Sequence, residues 1–400
     1  MGIDIPGFIR AIRENEPNKA LARIKEQSLF ASICGRLCPA PCENACVFEP
    51  EGAPIGIRAL ERFASDQGGN RPTAVQPAKP TGKRIAIVGS GPAGIAAAAE
   101  LAKNGYQVTV FDSLPLAGGN LRYGIPEYKF PKKILNQELN HLNALGVVIK
   151  TNSIIGKTQT LKEILDDGFA AVFLAVGSGT PQLLDIPGTN LGGVSYAEEF
   201  LLRVNLLGAN RYPQFDSSPN IGKKVIVIGH GVAALDCART VVRLGRQTTV
   251  VFSRTEDDLS VRADEKEYGK EEGVRFEPLA TPLAILGNEN NFVNGVKCIR
   301  MDFADTNLSG HWQLVPVKDS EFVLETDSVI IAEGGNANYL LKHIAPELKF
   351  NAQGHVLLNE SSMTSVKGVF CQTKTGSVVE AIASGKRVAG EIDRYLKTNN

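Results

Sequence analysis

The stretch RIAIVGSGPAGIAAAAELAKNGYQVTVFD, from Arg84 to Asp112, sets the architecture of this chain. An apolar run enters a turn marked by Gly89, Gly91 and Gly94, and an alanine-rich helix follows. A second apolar run then ends on Asp112. In such a βαβ unit the first glycine permits a tight turn, the second lets backbone N–H groups approach a pyrophosphate, and the third lets helix and strand pack closely. This first fingerprint predicts a dinucleotide site in which Asp112 accepts hydrogen bonds from a ribose.

A second fingerprint follows in KVIVIGHGVAA, where Gly229 and Gly231 precede Ala234 in the third glycine position. The strand after its helix ends on Ser253 and Arg254 rather than on an acid. An acidic side chain would repel the 2′-phosphate of NADPH, whereas serine and arginine bind one, so the second site is predicted to favour NADPH over NADH. The alternative is that Arg254 is a solvated surface charge.

Four of the seven cysteines lie in the segment CGRLCPAPCENAC, at Cys34, Cys38, Cys42 and Cys46. Such clustering in a chain without an export signal indicates metal binding rather than disulfides. The two prolines of the segment argue against one regular helix, so we expect a loop that wraps four thiolates around a [4Fe–4S] cluster. A structural zinc site and an inert cysteine-rich loop remain alternatives.

Composition excludes several classes of function. Lys and Arg number 43, as do Asp and Glu, which removes the electrostatic argument for nucleic acid or an anionic membrane surface. The N-terminus has no signal-peptide core and the apolar runs are only strand-length, so we expect no membrane span and a cytoplasmic location.

Periodicity predicts the remaining elements. Helices are expected within residues 1–67, over 132–145 and over 378–396, and a short strand is expected over 356–358. Proline and glycine at 68–82 indicate a linker.

The two fingerprints, the cysteine segment and the runs GGNLRYGIPEYKFPK, FLAVGSG and DCARTVVRLG together resemble the small-subunit family of NADPH-dependent glutamate synthase. Relatives in that family include the NADPH-side half of dihydropyrimidine dehydrogenase and the large subunit of the electron-bifurcating ferredoxin:NADP transhydrogenase. The resemblance covers nearly the whole chain. It implies FAD on the first fingerprint, NADPH on the second, and iron–sulfur clusters that carry electrons to a partner subunit.

The resemblance also implies the site residues. Those expected to hold FAD are Gly89, Gly91, Pro92, Ala93, Gly94, Asp112, Gly119, Leu121, Arg122 and Ile125. Those expected to hold NADPH are Gly229, Gly231, Val232, Ala234, Ser253 and Arg254. No side chain is expected to act as a general acid or base, because the cofactors carry the chemistry.

The expected fold is α/β, with two Rossmann-like nucleotide-binding domains in a glutathione-reductase-like arrangement, the second inserted in the first. A small helical iron–sulfur domain at 1–67 and the linker at 68–82 precede them. The FAD-binding domain is expected at 83–205 and 321–400, and the NAD(P)H-binding domain at 206–320.

Three departures from the family pattern bear on function. Only one cysteine block is present, which implies a single cluster, or a second completed by another polypeptide. The family's Gly–Asp pair near the C-terminus is missing, and Cys371, Gln372 and Thr373 lie there instead. His230 enters the second glycine turn, where it either contacts a phosphate or crowds the site.

The leading hypothesis is an oxidoreductase subunit that passes electrons from NADPH through FAD and a [4Fe–4S] cluster to a partner redox subunit. The partner would be glutamate-synthase-like, ferredoxin-linked, or of hydrogenase or dehydrogenase type, and electron bifurcation is a variant. The competing hypothesis is a scaffold or electron-relay subunit with one degenerate nucleotide site.

Overall fold

Helices occupy the N-terminal part of the chain. The computed structural model describes residues 2–48, 52, 54–69, 78–178, 180–304, 312–336, 338, 340–373 and 375–398. The first helices are α1 (Ile5–Arg13), α2 (Pro17–Gln27), α3 (Ala31–Leu37), α4 (Pro41–Asn44) and α5 (Ile57–Gln67). Their apolar positions form one buried cluster around Phe8, Ile24 and Ala64, which confirms the helical prediction. Residues 70–77 of the predicted linker lie outside the described residues.

A parallel α/β segment follows. Its elements are β1 (Arg84–Val88), α6 (Pro92–Lys103), β2 (Gln107–Phe111), α7 (Asn120–Tyr123), α8 (Lys132–Ala144), β3 (Val148–Lys150), α9 (Leu161–Asp166) and β4 (Phe169–Leu174). In β1, Ile85, Ala86 and Ile87 are fully buried, as expected of a strand covered on both faces.

The next segment contains a second parallel sheet and an antiparallel one. Its elements are β5 (Thr180–Pro181), β6 (Val194–Tyr196), α10 (Ala197–Asn205), β7 (Lys224–Ile228), α11 (Val232–Arg243), β8 (Gln247–Val251), α12 (Ala263–Glu272), β9 (Arg275–Glu277), β10 (Ala280–Gly287), β11 (Val293–Ala304), β12 (Gln313–Glu325), β13 (Ser328–Ile331) and β14 (Gly335–Asn336). Single 3-10 turns lie at Ala209–Arg211 and Glu256–Asp258.

The chain closes with α13 (Leu340–Ile344), β15 (Val369–Cys371) and α14 (Val378–Thr398). The predicted closing helix is confirmed and is slightly longer than expected. The strand predicted over 356–358 is wrong, because this segment makes only an isolated bridge from Val356 to Phe350. A short apolar run without a neighbouring strand to pair along its length does not form a β-ladder.

The chain divides into two compact units. One comprises Met1–Arg122, Glu127–Gly179 and Ala337–Asn400, and the other comprises Tyr123–Pro126 and Thr180–Asn336. The second unit is therefore wider than the domain predicted at 206–320. The physical reason is strand pairing, since β13 pairs with β7, the strand of the second fingerprint, and β6 pairs with β13.

Each unit has one five-stranded parallel sheet. The strand orders are β15-β4-β1-β2-β3 in the first unit and β6-β13-β7-β8-β9 in the second. Each fingerprint strand thus has two strands on either side, which places its glycine turn at the middle of the carboxyl edge, where ligands of such sheets bind. Among the described residues no helix combines the length and hydropathy needed to cross a membrane.

Candidate cofactor sites

The first glycine turn is built by close backbone contact. Gly89 has φ +106°, and a Cβ there would lie 2.4 Å from the carbonyl oxygen of Ala175. A Cβ on Gly94 would lie 1.9 Å from the Gly89 carbonyl oxygen, so this glycine lets the first turn of α6 sit against the strand end. Both positions therefore require glycine, as the fingerprint predicts.

Space for a ligand lies in front of α6. A Cβ on Gly91, the residue that precedes α6, would meet nothing within 4 Å on its open side, and no side chain caps the helix. Gly119 approaches the same residue from the following loop, because a Cβ there would lie 2.7 Å from the Gly91 Cα. Pro92 and Ala93 begin the helix, whose N-terminal amides attract anions. The residues present fit a dinucleotide pyrophosphate.

Asp112 is part of an internal hydrogen-bond network. It is only 5% exposed, and its Oδ2 accepts from the Ser90 N–H at 2.7 Å and from the Ser90 hydroxyl. Its Oδ1 accepts from the Leu114 N–H at 2.9 Å, and the Ser90 hydroxyl oxygen accepts from the Gly118 N–H at 2.8 Å. The carboxylate therefore orders the turn, and Oδ1 keeps a lone pair for the predicted ribose contact. Ser90, fully buried, was missed because the fingerprint leaves its position variable.

The residues expected beside the flavin separate into two groups. Leu121 is fully buried, and Arg122, 9% exposed, donates to the Ala117 carbonyl and to Asn136 Oδ1, both at 2.6 Å. These two side chains therefore support the loop that presents Gly119. Ile125 is also buried but belongs to the second compact unit.

Gln372 leaves a buried polar atom at the same sheet edge. Its Oε1 has no hydrogen-bond partner among the described residues. Gln372 follows β15, whose Cys371 pairs with Leu174, and Leu174 in turn pairs with Val88 just before Gly89. This amide oxygen is therefore available to accept a hydrogen bond from a polar ligand. The family's Gly–Asp pair is thus replaced by a side chain that can also hydrogen-bond.

The second glycine turn repeats the construction of the first. Gly229 has φ +144°, and a Cβ there would lie 2.4 Å from the carbonyl oxygen of Ala332. Gly231 again faces open space, and Ala234, in the first turn of α11, is 1% exposed in the core cluster that includes Val225 and Val227 of β7. Val232, the first residue of α11, is 44% exposed at the open side. The geometry fits a second pyrophosphate.

A returning segment covers part of this turn. The Ser260 N–H donates to the His230 carbonyl at 3.0 Å, and Ser260 bridges to Gly231. The His230 side chain lines a small apolar cavity with Leu259 and Val261. Through its carbonyl, His230 therefore anchors the loop that connects β8 to α12.

That loop presents the residues predicted to bind the 2′-phosphate. Ser253 is half-buried and Arg254 is exposed. Within the described residues Arg254 makes no ion pair, whereas Arg262 contacts Asp264 at 2.9 Å and Glu265 at 3.1 Å. Arg254 is thus the available cation at this end of β8.

The cysteine segment forms two short helices rather than the predicted loop. Cys34 lies in α3, and Cys42 lies in α4 after a break at Ala40, which has φ +57°. Proline is tolerated at the first position of α4 because that residue's N–H has no helical partner in any case. Pro41 therefore starts a helix where we expected it to prevent one.

The four thiols have different surroundings. Cys34 is buried beside the Ser28 hydroxyl at 3.9 Å, and burial, with the charge of Glu61 next, raises its pKa. Cys38 Sγ accepts from the Ala40 N–H at 3.3 Å, and burial raises the pKa of this thiol too. Cys42 and Cys46 are half-buried. Among the described residues no three His, Cys, Asp or Glu side chains are gathered as a metal site, but four thiols in one short segment are the donor type that a [4Fe–4S] cluster requires.

Glu61 is an acid that the sequence analysis missed. It is 7% exposed in α5, its Oε1 has no hydrogen-bond partner among the described residues, and burial raises its pKa to about 7. Its charge also raises the pKa of Cys34, Cys38 and Cys42. The sequence could have predicted its burial from helical spacing, because Glu61 lies four residues after Ile57 and three before Ala64, on the buried face of α5.

Two known protein families match this chain, one over its nucleotide-binding part and one over its N-terminal helices. Residues 83–385 match the pyridine nucleotide-disulphide oxidoreductase family. Residues 1–72 match dihydropyrimidine dehydrogenase domain II, 4Fe-4S cluster. The class of protein is therefore a flavin- and pyridine-nucleotide-dependent oxidoreductase with an N-terminal iron–sulfur domain.

Sequence similarity to individual proteins indicates which part of the family the chain resembles. The chain is 32% identical to the glutamate synthase [NADPH] small chain of Escherichia coli, over 98% of this chain and 86% of that one. It is 34% identical to the NADP(+)-dependent formate dehydrogenase subunit beta of Moorella thermoacetica, over 99% and 59%. It is 36% identical to the NADPH-Fe(3+) oxidoreductase subunit beta of Geobacter sulfurreducens, over 83% and 49%. It thus spans about half the length of the last two.

The chain belongs to the pyridine nucleotide-disulphide oxidoreductase family, in the branch that contains the glutamate synthase small chain. Solved structures share the fold. FprA from Mycobacterium tuberculosis in complex with NADPH has a TM-score of 0.65 at 20% identity, over 80% of this chain and 85% of that one. The resemblance and the fold class predicted from the sequence are confirmed. So are FAD, NAD(P)H and a [4Fe–4S] cluster as cofactors, at the level of these families.

Proposed function

We propose that this chain is the electron-input subunit of a redox complex, oxidising NADPH and delivering electrons to a partner subunit. FAD bound at the first fingerprint would supply hydride acceptance from NADPH, and a cluster held by the cysteine segment would supply one-electron transfer. The observation that carries the proposal is the repeated glycine turn, built in each unit against an alanine carbonyl at the middle of a parallel sheet. The cysteine segment in the same chain would hold the cluster through which electrons leave for the partner subunit.

On the FAD side, the protein positions the cofactor with its backbone. Gly91 and Gly119 bring two backbone segments together at the N-terminus of α6, where an anion is favoured. Asp112 holds the turn through Ser90 and offers Oδ1 to the ribose. Gln372 offers a second hydrogen-bonding group at the same edge.

On the NADPH side, recognition is divided between backbone and side chain. Gly229, Gly231 and Ala234 shape the pyrophosphate site at the start of α11. Arg254 and Ser253 bind the 2′-phosphate by charge-assisted and neutral hydrogen bonds. Hydride transfer between the rings needs no protein acid or base, so none is assigned.

The partner in this proposal is a second redox subunit. Its support is that relatives are named as subunits, including the beta subunit of a formate dehydrogenase and the small chain of glutamate synthase. We assign the four cysteines of the CGRLCPAPCENAC segment to the cluster, as the resemblance implies. The cytoplasmic location remains a prediction of the sequence.

The test is anaerobic purification with any co-purifying partner, followed by a visible spectrum and assays of flavin, iron and sulfide. We expect about one FAD and about four irons per chain, with bleaching on addition of NADPH. Flavin that NADPH fails to reduce would overturn the electron-input role. Iron without flavin would favour the relay role, for which the substitution of the Gly–Asp pair is the supporting observation.

A further inference from the structure

Three consecutive acidic residues begin two positions after Arg254. Glu256, Asp257 and Asp258 form a single 3-10 turn in the loop between β8 and α12. Carboxylates beside a phosphate repel it, and carboxylates beside an arginine compete for it. The loop therefore carries, next to its available cation, charges that oppose binding of a 2′-phosphate.

Each of these acids is held by another group. Lys266 Nζ lies 3.1 Å from Asp257 Oδ1 and 3.8 Å from Glu256 Oε1, and Lys270 Nζ pairs with Glu256. The Thr255 hydroxyl donates to Asp258 Oδ2 at 2.6 Å. In the described part of the chain no ion pair joins Glu256 or Asp257 to Arg254. The hydrogen bond from Thr255 lowers the pKa of Asp258, and the charge of Arg254 contributes to the same shift.

Lys266 and Lys270 are positioned on α12 to pair with Glu256 and Asp257. They lie four residues apart on α12, so both side chains project from one face of the helix. The Lys266 side chain is 16% exposed and that of Glu256 32%, so this ion pair is screened less than one between fully exposed side chains, whereas Asp257 is 96% exposed. The backbone of Arg254 is fixed independently, because its carbonyl accepts from the Leu279 N–H at 3.0 Å.

We propose that Lys266 and Lys270 are positioning residues for cofactor selectivity, which hold Glu256 and Asp257 against α12 and leave Arg254 available for the 2′-phosphate of NADPH. The inference rests on the proposed function, in which Arg254 binds that phosphate. Neither lysine contacts the dinucleotide. Their effect is exerted through the two acids.

The test is the double variant K266M/K270M, with dissociation constants for NADP⁺ and NAD⁺ measured by calorimetry on the flavin-loaded protein. Two unpaired carboxylates should weaken NADP⁺ about tenfold at low ionic strength, while NAD⁺, which lacks the phosphate, changes by less than about twofold. The loss of NADP⁺ affinity should shrink in about 0.5 M salt, because the repulsion acts through solvent.

A rescue variant and a control complete the test. Adding E256Q and D257N to the double variant should restore NADP⁺ binding, since the released charges are then gone. The control is K297M, which breaks an ion pair with Glu321 between β11 and β12 and should leave both affinities unchanged. Equal losses for both dinucleotides, or no rescue, would mean that the lysines only stabilise the loop. Unchanged NADP⁺ binding would overturn the inference as well.

The variant R254A separates this inference from the function on which it rests. If R254A leaves the ratio of NADP⁺ to NAD⁺ affinity unchanged, the assignment of the 2′-phosphate to Arg254 fails. If R254A lowers that ratio but K266M/K270M does not, only the role of the lysines fails. Flavin content and a thermal melt establish that each variant is folded.

Discussion

Arg254 provides the most direct test of cofactor choice. Replacing it with alanine should weaken NADPH about 10- to 100-fold, because charge-assisted hydrogen bonds are worth roughly 1.5–3 kcal/mol, and should change NADH by less than about twofold. Titration of each reduced dinucleotide under anaerobic conditions measures this. Arg203→Ala, which removes only an exposed ion pair with Glu199, is the matched control. Equal effects on NADPH and NADH would contradict the prediction.

Glu61 should make the stability of the cluster-free protein depend on pH. Because burial raises its pKa from the ordinary 4.5 to about 7, the folded state binds more protons than the unfolded state between these two values. The free energy of unfolding should therefore fall as pH rises through this window, by up to about 3 kcal/mol.

Glu61→Gln should remove most of that pH dependence, since the amide does not ionise. Urea unfolding at about pH 5 and about pH 8, followed by circular dichroism, measures it. The variant Glu14→Gln serves as a control, because Glu14 is exposed at the end of α1. A slope that survives in Glu61→Gln would assign the effect to other groups.

Single residues were predictable from sequence where backbone geometry alone dictates them. The close contacts of Gly89 and Gly229 follow from the strand–turn–helix pattern. The buried polar atoms of Ser90, Glu61 and Gln372 were not predictable in this way, because burial of a polar side chain depends on segments distant in the chain.

At the level of elements, the contact between α6 and α14 depends on Gly385. A Cβ at this position would lie 2.1 Å from the Ala93 carbonyl oxygen, which belongs to the first turn of α6. Gly385→Ala should therefore force the helices apart, lower stability by about 1–3 kcal/mol and reduce flavin content. Thermal unfolding and flavin absorbance measure the two effects.

Gly390→Ala is the control on the same helix. A Cβ there meets nothing within 4 Å, so the substitution should raise helix stability by about 0.5–1 kcal/mol and leave flavin content unchanged. If both variants behaved alike, the tight helix contact would not be the cause.

The elements themselves were largely predictable, because apolar periodicity and glycine turns are local signals. The cysteine segment was the main exception. Its prolines indicate a loop, yet Pro41 occupies the one helical position where the missing N–H is harmless. The strand expected at 356–358 failed for a non-local reason, since only Val356 meets a partner.

For the whole molecule, the two nucleotide sites should be separable by mutation. Gly229→Ala places a Cβ 2.4 Å from the Ala332 carbonyl oxygen and should abolish bleaching by NADPH while flavin content and reduction by dithionite persist. Gly119→Ala, whose Cβ would lie 2.7 Å from the Gly91 Cα, should instead lower flavin content. Visible spectra before and after each reductant distinguish the two. Loss of flavin in Gly229→Ala would contradict separability.

Gly146→Ala controls for backbone strain in the unit that contains Gly119. Gly146 has φ +83°, but a Cβ there meets nothing within 4 Å, so flavin content should be unchanged.

The extent of the two units was less predictable than their existence. The domain predicted at 206–320 leaves out β6 and β13, whereas β13 pairs with β7 of the second sheet and β6 pairs with β13.

The Ser90 hydroxyl joins three chain segments before any cofactor arrives. It donates to Asp112 and accepts from the Gly118 N–H, so the loop bearing Gly119 is already fixed beside Gly91. The conformational entropy of that loop is therefore lost on folding and not on binding. Flavin should thus enter a preorganised site, and apoprotein from which it has been stripped should recover its colour without refolding.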